Sequence, residues 1–234
     1  MPTLVMIDDK YELTFSSVVP KKGVHAYAVM RIANDISLLG HPKVILKSDN
    51  EPAILALKEA VKAESSQSIE VTGRIRQENE AMKTIIPEES AAYDSSSNGK
   101  VEATIKWVQG HIRTLKSSLE SRIGKEIGPN HNCMPWLVRH AGWIRNRFVV
   151  KSDGRTAYER WKGKKFNKEL VEFGERVMYL KPGTQGTNKF DVRWEPGKWL
   201  GARDESAESI IGTKEGCIRI KDIRRFGDIE EHGM

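Results

Sequence analysis

Between Val101 and Leu119, six apolar residues (Val101, Ile105, Val108, Ile112, Leu115 and Leu119) step by four and three without a miss. A stripe with that spacing follows the turn of an α-helix and must be buried against a core. One position round, Glu102, Lys106, Gln109, Arg113 and Lys116 form a parallel polar stripe, with one carboxylate at the N-terminal end of a basic ridge. Gly124, Gly128 and Pro129 close this helix.

The segments before it alternate between strand and helix. Leu4 to Ile7, then Leu13, Phe15, Val18 and Val19, read as a hairpin turned at Asp8-Asp9-Lys10 and ended by Pro20 to Gly23. Val29, Ile32, Ile36 and Leu39 recur at helical spacing up to the stop Gly40-His41-Pro42, and Val44 to Leu46 make a buried strand beyond it. That strand delivers Ser48, Asp49 and Asn50 to its carboxyl end. A helix then starts at Pro52, capped by Asn50 or Ser48, and runs through Ile54, Leu57 and Val61 to about Glu64. Both 68–72 (SIEVT) and 82–89 (MKTIIPEE) read as strands, residues 65–84 carry an insertion, and 93–98 (YDSSSN) is a polar loop.

After the long helix, a second amphipathic helix spans about Pro135 to Phe148. Leu137, Ala141, Ile144 and Phe148 face inward, with Arg139, Arg145 and Arg147 left to solvent. Beyond Lys168 the texture changes to five short strand-like runs, 175–180, 189–195, 198–203, 209–213 and 217–226, punctuated by Pro182-Gly183, Pro196-Gly197 and Gly216. Such spacing predicts a small antiparallel β-barrel or sheet over 171–228, separate from an α/β domain over 1–165.

The chain's net charge of +6 is unevenly spread. Residues 106–168 hold fifteen Lys and Arg against four Asp and Glu, a net of +11, and the remainder is net −5. The same stretch carries Trp107, Trp136, Trp143, Phe148, Tyr158 and Trp161, as a polyanion-binding surface does. Lys106, Arg113, Lys116, Arg145 and Arg147 are its candidate phosphate contacts, and DNA is the expected partner. Lys162, Lys164 and Lys165 read as a solvated loop or a short nuclear-localisation patch. No apolar run suggests a membrane span, and Met1 to Phe15 lacks the pattern of a signal peptide. Cys133 and Cys217 lack zinc-site or disulfide-framework spacing, and His131 and His140 receive no role.

A strand ending in Asp49 and a helix opening near Glu102 can bring two carboxylates to one sheet edge, as a divalent-metal site for phosphoryl transfer requires. As ordinary structure, Asp49 would favour a helix N-terminus and Glu102 would pair with Lys106. The segments LVMIDD (4–9), LKSDNEPAI (46–54) and SNGKVEATIKWVQGHIRTL (97–115) resemble the catalytic core of retrovirus-type integrases, above all those of copia-type retrotransposon Pol polyproteins. GRTAYERWKGKKFNKELVEFGERVMYL (154–180) is similar to the segment that follows the core in those elements, so the likeness covers about Leu4 to Leu180.

That resemblance implies an RNase H-like α/β fold, with a mixed five-stranded sheet flanked by helices. It also implies DNA integration by metal-dependent strand transfer and 3′-end processing. Asp49 and Glu102 would be the second and third acids of a D,D,E triad, catalytic and binding Mg²⁺ or Mn²⁺, with Asn98-Gly99 supplying the family's NG. The family's first triad Asp lies on a strand upstream of LVMIDD, so the chain reads as an N-terminally truncated core, and Asp8 is not its equivalent. The expected setting is nuclear, with a possible homo-oligomer. The alternative is a DNA-binding remnant without catalysis. A third reading has the C-terminal module, with Tyr179, Trp194 and Trp199, bind DNA or a protein tail.

Overall fold

The computed structural model describes residues 1–72, 84–89, 99–181, 193–206 and 208–226. It resolves into two compact units, Met1–Met6 with Ser17–Lys106, and Ile7–Ser16 with Trp107–Met234. The chain therefore passes between units three times, after Met6, after Ser16 and, inside the long helix, after Lys106.

In chain order the first elements are β1 (Thr3–Ile7), β2 (Thr14–Val18), α1 (Ala26–Leu39), β3 (Lys43–Ser48), α2 (Pro52–Thr72) and β4 (Thr84–Glu89). Helix α1 starts where the His25 ring nitrogen accepts a hydrogen bond from the Tyr27 amide at 3.1 Å. It ends at Gly40, whose left-handed φ of 71° lets its amide reach Ser37 O. The inward residues of α1 (Ala28, Val29, Ile32, Ile36) join Val19, Leu57, Val61 and Ile85 in one buried cluster, against which Leu4, Met6, Val44 and Leu46 pack. Full burial of side chains of this size stabilises by about 1.5–3 kcal/mol each. On the same helix Asp35 is buried but paired with Arg31 at 2.8 Å, and Arg31 Nε donates to Ser17 Oγ.

The strands of this first part correct two expectations. They form two separate two-stranded sheets, β1-β2 and β3-β4, in place of one mixed sheet lacking only the family's first strand, because no described strand pairs with both β1 and β3. The β3-β4 pair is parallel, with Ser48 opposite Glu89. Residues 68–72 are helical, since no glycine or proline interrupts the chain between Pro52 and Gly73 and α2 runs on to Thr72. The amides of Ile54 and Leu55 bond to Glu51 O, so Glu51 takes the cap position expected of Asn50 or Ser48. The loop 93–98, most of the 65–84 insertion and Asn98 lie outside the residues described.

Helix α3 (Gly99–Ile123) matches its apolar stripe, with Val108 and Leu119 fully covered and Thr104 buried beside its own Lys100 carbonyl. Helix α4 (Met134–Phe148) follows, then a short α5 (Ala157–Lys162) that has no apolar periodicity to announce it. Phe148, expected inward, is 41% exposed, being the last residue of its helix. In the second unit, Leu119, Ile127, Leu137 and Phe173 make one cluster, and Trp143, Val171, Val177, Tyr179, Trp199, Ile211 and Ile220 another.

The remaining strands are β5 (Arg176–Leu180), β6 (Trp194–Ala202), β7 (Ser209–Gly212), β8 (Cys217–Ile220) and β9 (Ile223–Arg225). They are antiparallel, in the order β8-β7-β6-β5-β9. Among the described residues this is an open sheet with β8 and β9 at its edges, so of the expected barrel or sheet it is the sheet that forms and the barrel that does not. Residues 189–192 of the expected second run lie outside those described, and the described strands are divided differently from the sequence reading. Strand β6 runs straight through Pro196-Gly197, and 217–226 breaks into β8 and β9. Pro196 is tolerated because β6 pairs with β7 only from Lys198 onward, so no ladder bond on that side needs its missing N–H. Gly197 is required by packing, since a Cβ there would lie 2.3 Å from Ile211 Cγ2.

Candidate nucleic-acid interface

Asp49 follows directly on β3, where Ser48 Oγ donates to its carbonyl at 3.0 Å, and Glu102 stands in the first turn of α3. Both belong to the first unit and both are exposed. The carboxyl end of β3-β4 carries further charge that the sequence did not single out. Lys47 lies 4.0 Å from the Glu88 carboxylate, and Lys58, buried on α2, donates from Nζ to Glu88 O at 2.7 Å. Among the described residues no three His, Cys, Asp or Glu side chains come together in a way that could hold a metal ion. The described side chains therefore do not compose the three-acid site that the resemblance implies. Asp8 has a structural task, its carboxylate accepting from the Tyr11 amide at 2.7 Å in the turn after β1.

The five expected phosphate contacts separate into three kinds. Lys106 and Arg113 are exposed, two turns apart along α3. Lys116 is half-buried and bound to Glu120 at 2.6 Å, and the same Glu120 oxygen accepts from the Ile127 amide, tying the end of α3 to the following loop. The two arginines of α4 face the protein. Arg145 is half-buried, with its guanidinium 4.8 Å from the Trp107 ring centroid and Nε donating to Thr14 Oγ1.

Arg147 is only 4% exposed, which corrects the reading of it as a solvent-facing cation. Its guanidinium lies 4.3 Å from the ring centroid of Trp143, 5.0 Å from Tyr158 and 5.4 Å from Phe166, and Nη1 donates to Asp204 at 2.9 Å. Burial pulls its pKa below the ordinary arginine value, and the Asp204 carboxylate opposes that shift. A cation so enclosed serves packing and charge balance.

Other groups supply the exposed charge. Lys162, Lys164 and Lys165 are all exposed, and the Lys162 ammonium sits 3.5 Å from the Trp161 ring centroid. On the C-terminal sheet, Arg224 lies over the Trp194 ring at 4.5 Å and Arg176 over Phe226 at 4.6 Å. Arg224 stands opposite Met178, two residues along β5 from Arg176, so the cations share one face. Tyr179 and Trp199 belong to the buried side. Tyr179 OH donates to Glu195, with burial pushing its pKa up to about 12, and Trp199 Nε1 donates to Ser209 Oγ. Of the three aromatic residues proposed for the C-terminal module, only Trp194 thus lies on the cationic face.

No helix among the described residues is long and apolar enough to cross a membrane. No family model matches the sequence, and no curated protein matches it. Among solved structures, the chain is similar to one in the cryo-EM structure of the simian T-cell lymphotropic virus intasome in complex with PP2A regulatory subunit B56 gamma. The two are 18% identical, with a TM-score of 0.42, over 95% of this chain and 71% of that one. It is also similar to the catalytic core domain of BIV integrase, at 16% identity and a TM-score of 0.41, over 69% of this chain and 85% of that one.

Proposed function

We propose that this chain is a DNA-binding core of integrase type that engages phosphates through exposed cations. One observation carries the reading: its integrase-like motifs fall on the elements that such a core needs. The SDN motif ends a parallel strand that feeds α2, and Gly99 and Glu102 open the long helix that presents Lys106 and Arg113. Origin in a copia-type Pol polyprotein, self-association and a nuclear setting accompany this reading. Duplex affinity of the full chain, measured at two salt concentrations, tests it. Affinity should fall steeply with salt, and Lys106→Glu with Arg113→Glu should flatten the log–log slope by about 2. A flat response in the unaltered chain would exclude the charged surface as the binding site.

A second reading, metal-dependent strand transfer, rests on the motif positions of Asp49 and Glu102, which lie exposed within one unit. Strand transfer would need a third carboxylate beside them. An oligonucleotide-joining assay with Mg²⁺ or Mn²⁺ addresses it. Joining that survives Asp49→Asn at full rate would remove Asp49 from the chemistry.

A further inference from the structure

Helix α5 is short, yet both of its ends are fixed. At its start, Thr156 and Glu159 form a reciprocal capping box, with the Thr156 amide donating to Glu159 Oε2 at 2.7 Å and the Glu159 amide to Thr156 Oγ1 at 3.1 Å. Along its side, Arg160 bonds both oxygens of Asp153 and reaches Glu12 at 2.8 Å, while Tyr158 packs edge-on against Phe166 under the Arg147 guanidinium. Gly163 then closes it in the left-handed region, with a φ of 68° and its amide on Glu159 O. The chain leaves this cap into solvent with Lys162, Lys164 and Lys165 exposed around the half-buried Trp161.

The acids around this turn are engaged elsewhere. Asp153 holds Arg155 and Arg160, Glu159 caps its own helix, Glu169 pairs with Arg225, and Glu172 lies 3.2 Å from Arg122. Glu159 also feels the charge of Lys165, at a distance too long for an ion pair. Among the described residues, no ion pair involves Lys162, Lys164 or Lys165. A rigid base, three exposed ammonium groups outside any described ion pair, and an indole ring that the Lys162 ammonium covers at 3.5 Å until it turns to a phosphate are what a phosphate backbone with an unpaired base would meet.

We propose that the turn Trp161–Lys165 is a contact site for single-stranded nucleic acid, its lysines on the phosphates and the Trp161 ring against a base. The proposal rests on the nucleic-acid reading above and gives it a place that α3 alone does not supply. It also assigns the cations to direct polyanion contact; a nuclear-transport signal is the competing outcome.

The test uses the full chain and a fluorescein-labelled oligothymidylate, read by anisotropy across a salt series, with a blunt duplex in parallel. Changing Lys162, Lys164 and Lys165 to Glu should weaken oligothymidylate binding at least tenfold and flatten its salt slope by about 2. The same three changed to Gln should give an intermediate loss. Trp161→Ala should weaken oligothymidylate binding about tenfold and leave the duplex within twofold. Circular dichroism and the thermal midpoint confirm that each variant is folded before it is scored.

If the unaltered chain binds with a steep slope and the triple Glu variant keeps both affinity and slope, the site is wrong while the broader reading stands. If the unaltered chain binds neither probe, both fail. A triple variant that keeps DNA affinity and loses only nuclear accumulation would overturn the proposal in favour of a transport signal.

Discussion

Asn146 shows at the residue scale how much of this protein depends on single polar side chains. It is 2% exposed, and its amide treats Thr14 as a neighbouring strand would, accepting from the Thr14 amide at 2.7 Å and donating to the Thr14 carbonyl at 2.9 Å. Asn146→Ala leaves two buried backbone groups without partners, so a loss of about 2–3 kcal/mol is expected in urea unfolding. Gly142, one turn earlier, allows that approach, because a Cβ there would lie 2.6 Å from Ser16 Oγ. Arg147→Ala should lower the thermal midpoint by the equivalent of about 3 kcal/mol, because it empties the space among Trp143, Tyr158 and Phe166 and leaves Asp204 only the longer pair with Arg139 at 4.0 Å. Lys106→Glu with Arg113→Glu should instead leave the midpoint unchanged and weaken DNA binding. His140 gives the pH dependence. Its ring packs between Trp143, Phe173 and Trp199, and burial pulls its pKa down to about 3 from 6.5. The unfolded chain then binds the proton that the folded one refuses. His140's contribution to stability is full above pH 6.5 and falls as pH drops toward 3, by about 1.4 kcal/mol per pH unit at the steepest. His140→Phe should remove that part of the acid limb in a pH series of unfolding curves.

Elements were legible where one face is apolar and the other is not. Helices α1, α3 and α4 and strands β3, β5 and β7 follow from periodicity, which depends only on neighbours in the chain. What sequence periodicity missed is tertiary. The three arginines of α4 look alike in sequence, yet Arg147 is enclosed by a carboxylate 57 residues away and by rings of α4, α5 and the loop beyond. Asn146 is likewise defined by a strand 132 residues earlier. Asp49 and Glu102 were readable as a strand end and a helix start because caps and breakers are local signals. Whether carboxylates converge on a metal is a property of packing, and no residue spacing encodes it. Element-scale rigidity also predicts the behaviour of α5. Thr156→Ala removes one half of the capping box and should cost about 1 kcal/mol. It should also raise amide exchange in residues 157–163, which NMR detects, while leaving the exchange of α3 unchanged.

For the whole molecule, local charge matters more than net charge. Residues 106–168 carry +11 on a remainder of −5, and structure withdraws Arg147 from the surface and gives Lys116 to Glu120. Raising the net charge by two elsewhere, with Glu59→Gln and Glu64→Gln on the exposed side of α2, should therefore change DNA affinity by less than twofold in the same anisotropy assay. The Thr14–Asn146 pairing has a consequence for biogenesis. A ribosome making this chain releases β2 long before the amide that satisfies its edge exists. Nascent and prematurely terminated products ending before residue 146 therefore display an open strand edge, which is a template for pairing with other chains. C-terminal truncation should be tolerated in solution only when α4 is retained through Asn146, and shorter products should partition into aggregates or onto chaperones.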